Sequence, residues 1–267
     1  MKADLKDVTF LILVRLDSIQ RLENVVTVTD ALFKHFDTHV TVVEASGFNN
    51  GILQKLLNSK INYLFREDKD PILYKTKHFN AMMPDVSTQY IAIWDADVVV
   101  DKKAVLEAVA MLRSQTADAA YPYNGKCYNT SEILRTLFFK RKDIRVLYRH
   151  IDKMDLFHNR LLHGGAVLAN REKYIQAGME NEKHYGWGDD DFDRFYRFER
   201  LGYKIHRVDT CLFHLSHPRA TNSAFASSTQ RKISSSERFK TESSSKEEIL
   251  NGLLRTAVEK SNNFLTL

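Results

Sequence analysis

Two carboxylates separated by one residue, Asp95 and Asp97 in "WDAD", interrupt an apolar run that resumes at Val98–Val100. Hard divalent cations take oxygen ligands, and an uncompensated carboxylate in apolar surroundings is costly, so a bound cation would offset the charge. Acids that merely end a strand are the plain alternative. Further on, "FHLSHPR" sets His214 and His217 three residues apart. Imidazole suits transition metals such as Mn²⁺, and the pair can complete a site begun by Asp97. In a chain with ten histidines, two surface or hydrogen-bonded ones would look the same.

A third cluster, "YGWGDDDFDRFYRFER", spans residues 185–200. A calcium loop with Asp189, Asp191 and Asp193 at positions one, three and five fails, because Arg194 stands where glycine is needed and Arg200 where the closing glutamate belongs. Acids in the first turn of a helix are favoured by its dipole, with Gly188 or Asp189 as cap. Asp190 with Arg194, and Asp193 with Arg197, are spaced to pair on the helix surface. Asp191 lacks a basic residue four positions on and falls on the side of Phe192, Phe195 and Phe198. Desolvation there is expected to raise its proton affinity, which suits a general base. Trp187 offers a flat apolar face on which a sugar ring can pack.

The elements that must carry these residues follow from apolar periodicity. Val8–Val14 and Tyr90–Val100 read as strands buried on both faces, with further strands at His39–Ser46 and in "INYLF". Helical spacing marks Leu22–Phe36, Ile52–Leu57, Tyr74–Met83 and a helix from Asp101 to about Ser114. "ADAAYPY" adds a short strand, and Ile133 to about His150 reads as one long basic helix. "GGAVLANREKYIQAG" reads as strand then helix, capped by Gly178; "YKIHRV" and "CLFHL" complete the sheet. This alternation predicts an α/β fold with a mostly parallel central sheet flanked by helices, whose ligands sit beyond the carboxyl ends of the strands. From Ala220 to Lys246 the composition turns to Ser, Thr and charge, which predicts a linker, followed by an amphipathic helix over about Lys246–Lys260.

Composition narrows the function classes. With 39 Lys and Arg against 34 Asp and Glu, the 267-residue chain has a net charge of +5, which suits phosphate-bearing partners but is too mild and scattered to imply nucleic acid. The two cysteines, Cys127 and Cys211, have neither zinc-site spacing nor disulfide density, so a reducing compartment is expected. The apolar run near the N-terminus is too short for a signal peptide or a membrane span. A cytoplasmic protein is expected, with peripheral contact at the inner face of a membrane left open.

Taken in order, these pieces resemble the GT-A-fold glycosyltransferases, most closely the galactosyltransferase-like group of animal β-1,4-galactosyltransferases and bacterial family-2 relatives. The matching features are a first strand leading into "VRLDSIQR", the "WDAD" strand end, and "HGGAVLANREKYIQAGMENEKHYGWGDDDFD" with a histidine shortly after. They span about residues 8–219, so residues 1–219 are expected to form the GT-A domain and 220–267 the Ser-rich linker and terminal helix.

The resemblance implies a metal site for Mn²⁺ or Mg²⁺ at Asp97, His217 and His214, with Asp95 near the ribose or the metal. It implies nucleotide contacts from Arg15, Asp17, Glu44 and Lys75 or Lys77. It makes Asp191 the catalytic base, Asp190 and Trp187 substrate-binding residues, and Gly165 part of the substrate wall. Asp190 and Asp189 replace the usual glutamate and glycine before the base, which bears on donor or acceptor preference. The activity implied is inverting transfer of galactose or N-acetylgalactosamine from a UDP-sugar to a saccharide or glycolipid hydroxyl, in making surface polysaccharide. A sugar-nucleotide nucleotidyltransferase would share the acidic site but lacks here the Gly-rich basic loop after the first strand. A non-catalytic carbohydrate-binding domain would predict no metal-dependent UDP binding. The segment from Tyr121 to Asn159 carries no readable motif, and neither acceptor nor donor sugar follows from the residues.

Overall fold

The computed structural model describes residues 1–219 and 221–264, with side chains to residue 255. The strands are β1 (Ala3–Val14), β2 (Phe36–Ser46), β3 (Asn62–Glu67), β4 (Tyr90–Asp95), β5 (Val98–Val99), β6 (Ala119–Tyr121), β7 (Cys127–Asn129), β8 (Asp155–Leu156), β9 (Ala166–Asn170), β10 (Ile205–Arg207) and β11 (Leu212–His214). The helices are α1 (Ile19–His35), α2 (Ile52–Leu56), α3 (Lys75–Met82), α4 (Lys102–Arg113), α5 (Glu132–Arg141), α6 (Arg145–Arg149), α7 (Arg171–Gln176), α8 (Asp190–Leu201), α9 (Ser228–Ser243) and α10 (Lys246–Phe264).

The larger sheet has the order β10-β6-β9-β4-β1-β2-β3. Its ladders are parallel except at β9, which runs antiparallel to both β4 and β6. Val8–Val14 of β1 is buried without interruption, as a strand between parallel neighbours and covered on both faces must be. Trp94 and Phe10 meet edge to face at 5.3 Å in this core. Ser18 caps α1, its side chain accepting from Arg21 N–H, and Asp101 caps α4 in the same way through Lys103 N–H.

Three expectations need correction. The strand foreseen over Tyr90–Val100 is two strands in different sheets. β4 ends at Asp95, Ala96 and Asp97 turn, and β5 joins a second sheet of order β5-β11-β7-β8. Trp94 Nε1 donates to Val98 O across this corner at 3.3 Å, so the apolar run is continuous in sequence while the backbone folds over. The long basic helix breaks at Lys142, which takes a left-handed φ of 51° and divides α5 from α6. The segment foreseen as a linker contains the sixteen-residue helix α9, seated against α8. Gly178, with φ of 87°, follows α7 as foreseen. Among the described residues no helix is long and apolar enough to cross a membrane.

Candidate active site

The corner between the two sheets exposes Asp97 to the loop that follows β11. Asp97 Oδ2 lies 3.1 Å from His217 Nε2 and 3.7 Å from His214 Nε2, and three potential ligand atoms of this trio lie within 4.8 Å of one another. Each ring is oriented by its other nitrogen: His214 Nδ1 is 2.8 Å from Asn129 Oδ1 and His217 Nδ1 is 2.9 Å from Pro218 O. With Nδ1–H donating to those oxygens, both Nε2 lone pairs converge on the carboxylate, the arrangement of a metal-ligating histidine. One carboxylate and two imidazoles fit a divalent transition metal. Burial works against the charge on Asp97, but when the rings are protonated and donate Nε2–H to it they outweigh burial and hold its carboxyl well below the usual range. The loop is pinned by Asn24 of α1, whose amide donates to Leu215 O at 2.8 Å and is itself braced by Arg135.

Across a cavity of about 200 Å³ stands the start of α8. Lys75, at the first turn of α3, reaches between Asp95 at 3.6 Å and Asp190 and Asp191, each at 3.4 Å. Asp191 Oδ1 also pairs with Arg194 at 2.5 Å, and Arg194 bonds the buried Glu180 at 2.8 Å. Burial would raise the Asp191 carboxyl, but Lys75 and Arg194 prevail and hold it below the usual range. Asp190 goes the other way: burial, opposed by Lys75 and reinforced by Asp191, pushes it up to about 6. Its Oδ2 is buried without a hydrogen-bond partner among the described residues. A Cβ on Gly164 would collide with the Asp191 carboxylate, so that position has room for glycine alone.

Residues 147–220 match a family model described as the N-terminal domain of galactosyltransferase. No curated protein sequence matches the chain. Among solved structures, a mannosyltransferase from Pyrobaculum calidifontis in complex with GDP-Man and Mn²⁺ aligns at a TM-score of 0.53 and 17% identity, over 80% of this chain and 58% of its own. A Drosophila β1,4-galactosyltransferase 7 variant with manganese, UDP-Gal and xylobiose aligns at 0.49 and 15%, over 79% and 71%. A glucosyl-3-phosphoglycerate synthase from M. tuberculosis aligns at 0.48 and 16%, over 80% and 73%. The mannosyltransferase carries the comparison of folds, and the chain spans just over half of its length.

The fold is the GT-A fold of glycosyltransferases.

Within this GT-A frame the foreseen residues divide. Asp95, Asp97, Lys75, Gly165, Trp187, Asp190, Asp191, His214 and His217 all line one cavity. Gly165 takes a φ of 81° and its carbonyl accepts from Asp95 N–H at 2.8 Å. Trp187 is half-buried, its ring edge to face with Phe225 at 5.2 Å. Arg15, Asp17, Glu44 and Lys77 are outside the lining. Arg15 is consumed by Ala45 O, Asp70 O and Asp68; Glu44 is buried and accepts from Tyr63 at 2.7 Å; Lys77 is exposed beside Tyr74. Asp17 pairs with Arg21, which does line the cavity, at 2.9 Å.

Of the two pairs foreseen on α8, Asp193 with Arg197 forms at 3.8 Å but is buried, joined by His184 and Thr241, whereas Arg194 binds Asp191, three residues before it, instead of Asp190. The foreseen rise in the proton affinity of Asp191 belongs to Asp190. Sequence reasoning missed Arg21 and Arg219, which line the cavity on the side of Asp97 and meet at Ser223. Arg21 lies within the quoted "VRLDSIQR", so the segment was visible while its inward-facing member was not.

Proposed function

We propose that this chain is an inverting, metal-dependent glycosyltransferase that moves a sugar from a UDP-sugar to a saccharide or glycolipid hydroxyl. The observation that carries this is the convergence, on one cavity, of a carboxylate–bis-histidine donor set and a pair of aspartates, Asp190 buried and Asp191 half-buried, bridged by Lys75. Asp97, His214 and His217 would hold Mn²⁺ or Mg²⁺, which when bound neutralises charge on a leaving diphosphate. Arg21 and Arg219 add fixed positive charge on the same side. The neighbour with GDP-Man and Mn²⁺ supports a nucleotide sugar and a metal, and the galactosyltransferase match supports galactose as the sugar.

Asp191 accepts the proton of the acceptor hydroxyl as that oxygen bonds to the anomeric carbon and the bond from that carbon to the diphosphate breaks on the opposite face. Held ionised by Lys75 and Arg194, it is ready as a base at neutral pH, and the hydroxyl becomes acidic enough to give up its proton as the new bond forms. Asp190 receives a substrate hydroxyl on Oδ2, which has no hydrogen-bond partner beside its ion pair with Lys75, and Trp187 stacks on a sugar ring. Work on surface polysaccharide or glycolipid would bring the chain, cytoplasmic in this reading, to the inner face of a membrane.

A screen of nucleotide sugars for metal-dependent hydrolysis tests this, with UDP release from one UDP-sugar expected and a loss of roughly 10²- to 10⁴-fold in Asp191→Ala. Pyrophosphate release from a sugar phosphate and UTP would make the chain a nucleotidyltransferase. Absence of metal-dependent UDP binding would make it a non-catalytic domain.

A further inference from the structure

We infer that Ser234 of α9 is a positioning residue for the transfer reaction, holding the start of α8 and so the two aspartates in place; this rests on the function proposed above. Asp189 occupies the N-cap of α8 yet makes no side-chain cap bond. Its backbone N–H instead donates to Ser234 Oγ at 3.0 Å, so the cap is supplied by a helix some forty residues further on. Ser234 is 1% exposed, and the approach is close: a Cβ on Gly188 would lie 2.5 Å from Ser234 Oγ and 3.3 Å from the Phe225 ring. The second glycine of "GWG" therefore admits α9, just as Gly164 admits Asp191.

The same hydroxyl reaches the loop before α8. His184, wholly buried, sets Nδ1 2.7 Å from Ser234 Oγ. The His184 carbonyl accepts from Thr76 at 3.0 Å, and Thr76 adjoins Lys75, the cation between the aspartates. One hydroxyl thus ties together the loop that carries Trp187, the N-terminus that carries Asp190 and Asp191, and, through His184, the helix that carries Lys75. Neighbouring contacts fix α9 in register: Ser235 and Arg238 meet the Asp189 carboxylate at 3.2 and 3.4 Å, and Thr241 meets Asp193 at 2.5 Å. The metal-type residues stand apart from this network, on the corner after β4, the end of β11 and the loop that follows it.

The test compares full-length wild type, Ser234→Ala and Ser243→Ala, the last on the same helix but bonded only within it. In Ser234→Ala, kcat should fall roughly 10- to 100-fold, the cost of misplacing a reacting group by about 1 Å. Affinity for UDP with Mn²⁺, read by calorimetry, should be unchanged, and Ser243→Ala should match wild type. Gly188→Ala, which presses on the same contact from the other side, should show the same split and stands in if Ser234→Ala fails to fold. Wild-type kcat in Ser234→Ala overturns this inference alone. So does a parallel loss of kcat and UDP affinity with a lowered melting temperature, which would make Ser234 a support of the fold. A wild-type chain that neither binds UDP with Mn²⁺ nor turns over would overturn the functional reading and this inference with it.

Discussion

Asp190 and Asp191 carry the same side chain at adjacent positions, and the fold drives their acidities apart. Asp190 is buried, its Oδ2 in an ion pair with Lys75 but without a hydrogen bond, and is pushed up to about 6, while Asp191, gripped by Arg194 and sharing Lys75, stays ionised. A pair of carboxylates so placed carries one proton between them over the acidic range, and that proton belongs on Asp190. Below pH about 6 Asp190 is protonated and loses the charge with which, in the proposed reaction, it would accept a sugar hydroxyl. The value of kcat/KM is therefore expected to fall as pH drops through about 6, and Asp190→Asn should flatten that limb. A limb surviving in Asp190→Asn would assign it to another group, such as His184, whose imidazole burial would lower but Asp193 raises above its ordinary value. The importance of the aspartate run was legible in the sequence, and its division of labour was not. Spacing along a helix reveals partners three and four residues away, whereas Lys75 is 116 positions from Asp191 and meets it only through the packing of α3 against the start of α8.

At the scale of elements, α8 is a polar helix buried as though it were apolar. Arg194 is 1% exposed, bonded to Glu180 and Asp191, and Tyr174 also donates to Glu180. Removing one member of such a cluster leaves uncompensated buried charge. Arg194→Met is thus expected to destabilise the chain by about 3–5 kcal/mol, read by denaturant unfolding. A change below about 1 kcal/mol would mean that Glu180 and Asp191 shed their charge or reach water. Apolar periodicity exposed the elements that bury apolar surface, and β1, α1 and β9 fall where it put them. It failed where other forces decide. The acids at and just past the end of β4 mark a corner between sheets inside an apolar run, and Lys142 stops α5 with a left-handed residue that composition does not announce. α9 escaped notice because Ser234, Thr241 and Arg238 hold it to α8 by hydrogen bonds and ion pairs, so its sequence resembles a solvated linker.

At the scale of the whole molecule, the proposed ligand site lies across the seam between the two sheets. Asp97 sits in the turn between β4 of the larger sheet and β5 of the smaller, His214 ends β11 of the smaller, and Arg21 belongs to α1, whose Asn24 anchors the loop after β11. A ligand gripped there ties together parts that must separate on unfolding, so its binding energy adds to the stability of the folded chain. At a free UDP concentration about 100 times its dissociation constant, with saturating Mn²⁺, the gain is about 2.7 kcal/mol. For a chain of this size each 1 kcal/mol raises the melting temperature by roughly 2–4 °C, so a rise of roughly 5–10 °C is expected. Chelation with EDTA should abolish most of the rise, and so should His217→Ala. A rise of the same size in EDTA would mean that nucleotide binds without the Asp97, His214 and His217 trio, and would remove the metal from the site.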